Sequence, residues 1–253
     1  MRRVSRVRSG LEELLGRPGD LRGRRLGLIA NPTCVTADLV HGALALKDSR
    51  SLRLTALFGP EHGIWADAQD LIEVEDSRDL RTGLPVFSLY GKTRVPTPEM
   101  LRGLDALVFD VQDVGSRYYT FIYTMLHAMD ACARDGVRLV VLDRPNPIGA
   151  TVVDGNLLDP EFRSFVGLHP LPVRPGMTVG ELALLFREEL GLHVDLQVVP
   201  MKGYRRQMSF EDTGLPWVMP SPNMPTVDTA YVYPGGCLIE GTNLSEGRGT
   251  TRP

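Results

Sequence analysis

The run Leu54-Thr55-Ala56-Leu57-Phe58-Gly59-Pro60-Glu61-His62-Gly63 joins an apolar segment to a turn carrying a carboxylate and an imidazole. Open α/β sheets bind ligands at the carboxyl ends of their strands. The flanking glycines allow a tight turn and close approach of a ligand. A Glu-His pair in that place suits acid–base chemistry; alone, the run reads equally well as a polar turn with a capping Glu. Other apolar runs also end in polar groups. These are Asn31-Pro32-Thr33, Tyr90-Gly91-Lys92, Asp110 with Gln112 and Asp113, Gly115-Ser116-Arg117-Tyr118-Tyr119, and Asp143-Arg144-Pro145-Asn146-Pro147. A right-handed parallel sheet gathers such ends at one edge, as a cleft lined by carboxylates, Arg and Tyr. Plainer roles compete residue by residue. Asp110 can cap the next helix, Asp143 and Arg144 can form a structural ion pair, and Asn146 can be a turn residue. One of Tyr118 and Tyr119 belongs to the core, and Glu246 belongs to a mobile loop or to the far wall of the cleft.

The elements that must hold these groups are legible from apolar runs and caps. Strands are expected at Arg25–Ala30, Leu52–Phe58, Leu84–Leu89, Ala106–Val111, Arg138–Asp143 and Leu196–Val199. Their near-continuous apolar character is that of parallel strands covered on both faces. Helices are expected at Asp38–Lys47, after Thr97-Pro98, from about Tyr118 to Arg134, and after Thr178 with Glu181 as its capping-box partner. Ser9-Gly10-Leu11-Glu12 reads as the capping box of a first short helix. The alternation predicts a Rossmann-like α/β fold, a parallel sheet flanked by helices. After about Pro200 prolines crowd the chain, and a loop-rich start of a second, smaller domain is expected, with one short helix near Val227–Tyr231. The expected division is an N-terminal helix in 1–20, a Rossmann-like catalytic domain in 21–225 and the start of a truncated C-terminal domain in 226–253.

Composition narrows the function. The chain has 253 residues, 43% of them hydrophobic, and a formal charge of -3. A slightly acidic balance gives no footing for nucleic-acid binding, and no apolar run is long enough for a membrane span. The basic start, Met1 to Gly10, is followed by no apolar stretch, so the sequence as written reads as cytoplasmic. Cys34, Cys132 and Cys237 form neither a disulfide framework nor a zinc pattern. His41, His127, His169 and His193 lack metal-ligand spacing and read as surface or packed side chains, so no metal is expected. There is no Gly-x-Ser-x-Gly elbow, no Walker loop and no Gly-x-Gly-x-x-Gly turn after the first strand. What remains is carboxylate chemistry without a cofactor, of which glycoside hydrolysis is the best-known form.

Six motifs then point to one family: Phe58-Gly59-Pro60-Glu61-His62-Gly63, Ser88-Leu89-Tyr90-Gly91, Asp110-Val111-Gln112-Asp113-Val114-Gly115, Asp143-Arg144-Pro145-Asn146-Pro147, Ser221-Pro222-Asn223-Met224-Pro225-Thr226, and the closing Gly241 to Gly249 stretch. In this order they resemble the NamZ-type exo-β-N-acetylmuramidase family, formerly the DUF1343 domain family, from about Leu11 to Pro253. The resemblance implies release of N-acetylmuramic acid from the non-reducing end of peptidoglycan fragments, in a cleft between a Rossmann-like domain and a smaller one. It implies Glu61 as general acid, in a partly apolar setting against Phe58 and Trp65. His62 joins the catalytic set, with Asp113 or Glu246 activating water or stabilising the oxocarbenium-like transition state. It places Tyr90, Arg117, Asp143, Arg144, Asn146, Asn223 and Glu246 at the saccharide, where Arg side chains would hold the lactyl carboxylate; Asn31, at the first strand end, and Arg174 are expected to join them. The family includes exported members and runs beyond the Gly-Arg-Gly-Thr-Thr-Arg-Pro motif, and its pattern has His where this chain has Pro175. Two rival readings are a saccharide-binding module without turnover, and an enzyme of a phosphorylated small molecule using Gly115-Ser116-Arg117 as a phosphate loop.

Overall fold

The computed structural model describes residues 6–65 and 77–250. The first residues of the basic start, Met1–Ser5, and the closing Thr251-Arg252-Pro253 lie outside them. In chain order the elements are α1 (Gly10–Gly16), β1 (Arg25–Ala30), α2 (Gly42–Lys47), β2 (Arg53–Gly59), β3 (Ser77–Arg78), β4 (Pro85–Ser88), α3 (Pro98–Leu101), β5 (Ala106–Asp110), α4 (Phe121–Asp135), β6 (Arg138–Leu142), β7 (Asp154–Leu157), β8 (Pro172–Arg174), α5 (Val179–Glu189), β9 (Leu196–Val199) and α6 (Val227–Gly236). The main sheet runs β3-β4-β2-β1-β5-β6-β9. All neighbours are parallel except β3, which pairs antiparallel with β4. Leaving out β3, the six parallel strands have the Rossmann order 3-2-1-4-5-6. All five β5 residues and five of the six in β1 are buried, as the unbroken apolar runs require. One core packs α1 and α2 on one face of the sheet, and a larger one packs α3, α4 and α5 on the other.

Local chemistry sets the helix ends. Ser9 and Glu12 exchange hydrogen bonds in a capping box before α1, and Thr178 and Glu181 do the same before α5. Thr97 caps α3 with Pro98 in its first turn. Two starts differ from the sequence expectation. α2 begins at Gly42, not Asp38, because Leu39 takes φ 61° and His41 supplies the cap, its Nδ1 accepting the Ala43 N–H. α4 begins at Phe121, not Tyr118. The two-residue β3 and the β7–β8 hairpin carry no apolar alternation and had no sequence signal. Beyond β9 the chain is loop-rich up to α6, whose Ala230 is buried and whose Tyr233 packs on the larger core.

A buried ion pair ties the carboxyl edge of the sheet. Arg144, after β6, meets Asp110, at the end of β5, with Nε–Oδ1 2.5 Å and Nη2–Oδ2 2.8 Å. Asp110 is fully buried and Arg144 is 5% exposed. The Cys34 thiol donates to Asp110 Oδ2 at 2.9 Å, and Arg144 Nη2 donates to the Val35 carbonyl at 3.2 Å. Asp110 is therefore not a helix cap, and Arg144 pairs with it rather than with Asp143. Removing one partner strands the other charge in the interior, which costs about 3–5 kcal/mol. Arg144→Met is expected to lose about that much stability in urea titration. Asp110→Asn/Arg144→Met is expected to lose less than Arg144→Met alone, because no unpaired charge remains.

Candidate active site

β2 ends in a turn that presents two chemical groups. Gly63 N–H donates to the Pro60 carbonyl at 2.9 Å, closing Pro60–Gly63. His62, third in that turn, holds φ 70°, and Gly63 follows at φ 79°. A histidine in the left-handed region costs free energy that such a turn would avoid with Gly or Asn. Glu61 and His62 are 8% and 7% exposed. Glu61 Oε2 accepts the Thr120 hydroxyl at 2.7 Å. Thr120 is the N-cap residue of α4, yet its side chain makes no capping bond to that helix; the hydroxyl serves Glu61. His62 Nδ1 is buried without a hydrogen-bond partner among the described residues. The Trp65 indole is engaged elsewhere. It donates to Asp79 at 2.9 Å and packs between His41 and Arg81, and it is not among the residues lining the cavity that Glu61 lines.

These groups open into a cavity of about 560 Å³, within the size range of small-molecule sites. Tyr90, Tyr118, Tyr119 and Tyr233 give it aromatic walls, with Phe165 and Arg94 on the loop side. Tyr119 meets Phe121 and Tyr233 edge to face, at 5.1 and 5.6 Å. Burial pushes the Tyr119 phenol well above its ordinary range, and the carboxyls of Asp113 and Glu61 push the same way. Asn223, Glu246 and Arg248 close the remaining side. Arg248 Nε lies 2.9 Å from Glu246, and its Nη2 meets Glu240. A backbone N–H and then Arg248 hold the Glu246 carboxyl below the usual carboxylate range.

Of the residues expected at the site, Glu61, His62, Tyr90, Asn223 and Glu246 line this cavity. The other seven do not; each makes hydrogen bonds within the fold. Asn31 accepts from Thr33 and donates to the Pro220 carbonyl. Arg117 donates from Nη1 to the carbonyls of Asn156 and Leu171, both at 2.6 Å, stapling the β7–β8 region to the start of α4. Asp143 accepts from Gly180 N–H at 2.8 Å and the Thr178 hydroxyl at 3.1 Å. Arg144 is taken by Asp110. Asn146 donates to the Met177 carbonyl at 3.0 Å and accepts from Ile148 N–H at 3.1 Å. Arg174 donates to the Ile148 carbonyl at 3.0 Å. Asp113 Oδ2 accepts the Gly115 N–H at 2.7 Å, while Oδ1 is buried without a partner among the described residues. Gly115 has φ 81°, and a Cβ there would stand 2.2 Å from Asn146 Oδ1. This segment is thus an internal brace, not a phosphate loop. Pro175 is buried and does not line the cavity.

The crevice between β1 and β5, where a Rossmann sheet normally takes its ligand, is filled. Segment 210–218 lies over Thr33, Gln112 and Arg144 and leaves about 10 Å³. The open site lies instead past the ends of β2 and β4. Arg94, Thr120, Phe165, Tyr233 and Arg248 were not found from sequence; Thr120, next to a helix start, alone had a local signal.

Comparison with known proteins follows this geometry. Residues 26–228 match the family described as exo-beta-N-acetylmuramidase NamZ, N-terminal, and residues 231–253 match its C-terminal counterpart. The peptidoglycan beta-N-acetylmuramidase NamZ of Bacillus subtilis (strain 168) is 54% identical over 249 residues, 98% of this chain and 60% of that protein. A crystal structure of a DUF1343 family protein from Bacteroides fragilis superposes with TM-score 0.92 at 43% identity, covering 99% of this chain and 64% of that one. A second from the same organism gives TM-score 0.85 at 37% identity, covering 98% and 66%. The chain therefore spans about 60% of the length of the curated relative it matches.

Two outcomes are expected from this geometry. Burial pushes the Asp113 carboxyl up to about 7 and that of Asp143 up to about 6. The folded chain keeps these protons where the unfolded chain has lost them, so the two carboxyls contribute stability that falls as pH rises from about 4 to about 7, against an opposing rise from His41 and His127, whose imidazoles burial holds below their ordinary value. Asp113→Asn flattens the upper part of that fall, as urea midpoints across pH will show. His62→Gly is expected to be more stable than His62→Ala by about 1 kcal/mol, because only glycine escapes the left-handed penalty. Thermal unfolding of the two variants checks this.

Proposed function

The chain belongs to the exo-beta-N-acetylmuramidase NamZ family, and on that premise we propose that it is a glycoside hydrolase releasing N-acetylmuramic acid from the non-reducing end of peptidoglycan fragments. The observation that carries this reading is Glu61 in the wall of an aromatic cavity of about 560 Å³, with one carboxylate oxygen held by Thr120.

The chemistry needs an acid at the glycosidic oxygen and an anion across the sugar. Glu61 supplies the acid. Thr120 fixes Oε2, and Oε1, which has no hydrogen-bond partner among the described residues, is the oxygen that hands its proton to the leaving group. Glu246 supplies the anion, steadying the oxocarbenium-like carbon as the glycosidic bond breaks and water adds in its place; it lines the same cavity and is kept ionised by its backbone N–H and Arg248. Asp113 lies behind the wall and is a positioning residue, bracing the β5–α4 loop through Gly115. Tyr90, Tyr118, Tyr119 and Tyr233 offer the faces on which pyranose rings pack. His62 lines the cavity beside the acid.

Glu61→Gln removes the proton while keeping shape and the Thr120 bond. Turnover of a chromogenic β-N-acetylmuramide is expected to fall about 100- to 10,000-fold, with the unfolding midpoint unchanged. Unaltered turnover would take Glu61 out of the reaction. Saturable binding by the wild type with no product released would leave a saccharide-binding protein instead.

A further inference from the structure

Two guanidinium groups line the cavity among the described residues, and they differ. Arg248 is neutralised by Glu240 and Glu246. Arg94 lies over two rings, its central carbon 4.2 Å from the Phe165 centroid and 5.1 Å from that of Tyr90. Phe165 is itself stacked on His127, with centroids 6.0 Å apart. Among the described residues no hydrogen bond and no carboxylate engages Arg94; the three acids of the cavity are held by Thr120, in the case of Glu61, and by Arg248, in the case of Glu240 and Glu246. Aromatic faces fix a guanidinium without cancelling its charge. They also leave its N–H fork pointing sideways in its own plane, the arrangement that grips a carboxylate through two parallel hydrogen bonds. A cavity whose fixed acids leave one cation uncommitted is built for a ligand that brings its own anion.

We propose that Arg94, laid on Tyr90 and Phe165, is the specificity-determining residue of this cavity: it takes a carboxylate carried by the sugar, so that an acidic hexosamine ether is preferred over a neutral hexosamine. This rests on the reading that the cavity binds an amino sugar. None of the arginines singled out from sequence can do this work, since Arg117, Arg144 and Arg174 are tied to internal carbonyls or to Asp110.

The test is calorimetric binding of N-acetylmuramic acid, its methyl ester and N-acetylglucosamine to wild type, Arg94→Gln and Arg94→Lys, beside turnover of the chromogenic muramide. Wild type is expected to prefer the acid. Arg94→Gln weakens acid binding about 10- to 100-fold, the span of a charge-assisted hydrogen bond, and leaves ester binding unchanged. Arg94→Lys recovers part of the loss, and in turnover the change falls on KM rather than kcat. Equal losses for acid and ester, or none for either, would overturn the proposal. Preference for the acid that Arg94→Gln abolishes, without any product, would overturn the hydrolase reading and uphold Arg94; product release without discrimination between acid and ester would do the reverse.

Discussion

Opposite charges inside a protein must find each other, and the Asp110–Arg144 pair is where this fold meets that demand. It joins the ends of β5 and β6, and through Cys34 and the Val35 carbonyl it also holds the loop after β1. Three strand ends are thereby fixed by one fully enclosed contact. Around it the neighbouring polar groups are consumed in the same way: Asn31 on Pro220, Gln112 on Pro145, Asp143 on the N-terminus of α5, Asn146 under Gly115. Buried polar groups left without partners are costly, so a carboxyl edge this rich in them is braced within itself. The crevice that other Rossmann sheets keep for a ligand is closed as a result.

The open cavity lies past the ends of β2 and β4, lined by Glu61, His62 and Tyr90. There the turn after β2 holds a histidine in the left-handed region, a local cost that the rest of the structure sustains. Glu61 is oriented by a hydroxyl withdrawn from helix capping. The walls are aromatic, and the charges are sorted: one acid beside Thr120, one acid kept ionised beside Arg248, and one guanidinium resting on rings. Such a site combines proton donation, charge stabilisation and flat faces for a sugar. These are the requirements of glycoside hydrolysis.

Much of the scaffold could be read from the sequence because its signals are local. Parallel strands buried on both faces leave unbroken apolar runs, and Ser9, Thr97 and Thr178 mark helix starts by their own chemistry. The start of α2 departs from the sequence expectation because His41, seldom a cap, replaces the usual residue. The site was only half legible. Glu61, His62 and Tyr90 stand at strand ends and announce themselves. Arg117, Arg144 and Asn146 stand at equivalent ends, and nothing local says that carbonyls and Asp110 claim them. Arg94 was invisible for the opposite reason: its place depends on Phe165, a distant residue that folding brings beneath it.

In the proposed reaction Glu61 delivers its proton to a glycosidic oxygen held in the aromatic cavity. A crystal structure of Glu61→Gln with a β-linked disaccharide carrying non-reducing N-acetylmuramic acid tests it most directly. The account predicts the muramic ring among Tyr90, Tyr118 and Tyr119, with the glycosidic oxygen within about 3 Å of the residue 61 side chain. A disaccharide bound elsewhere on the sheet edge, or seated in the cavity with that oxygen turned away from residue 61, would contradict it.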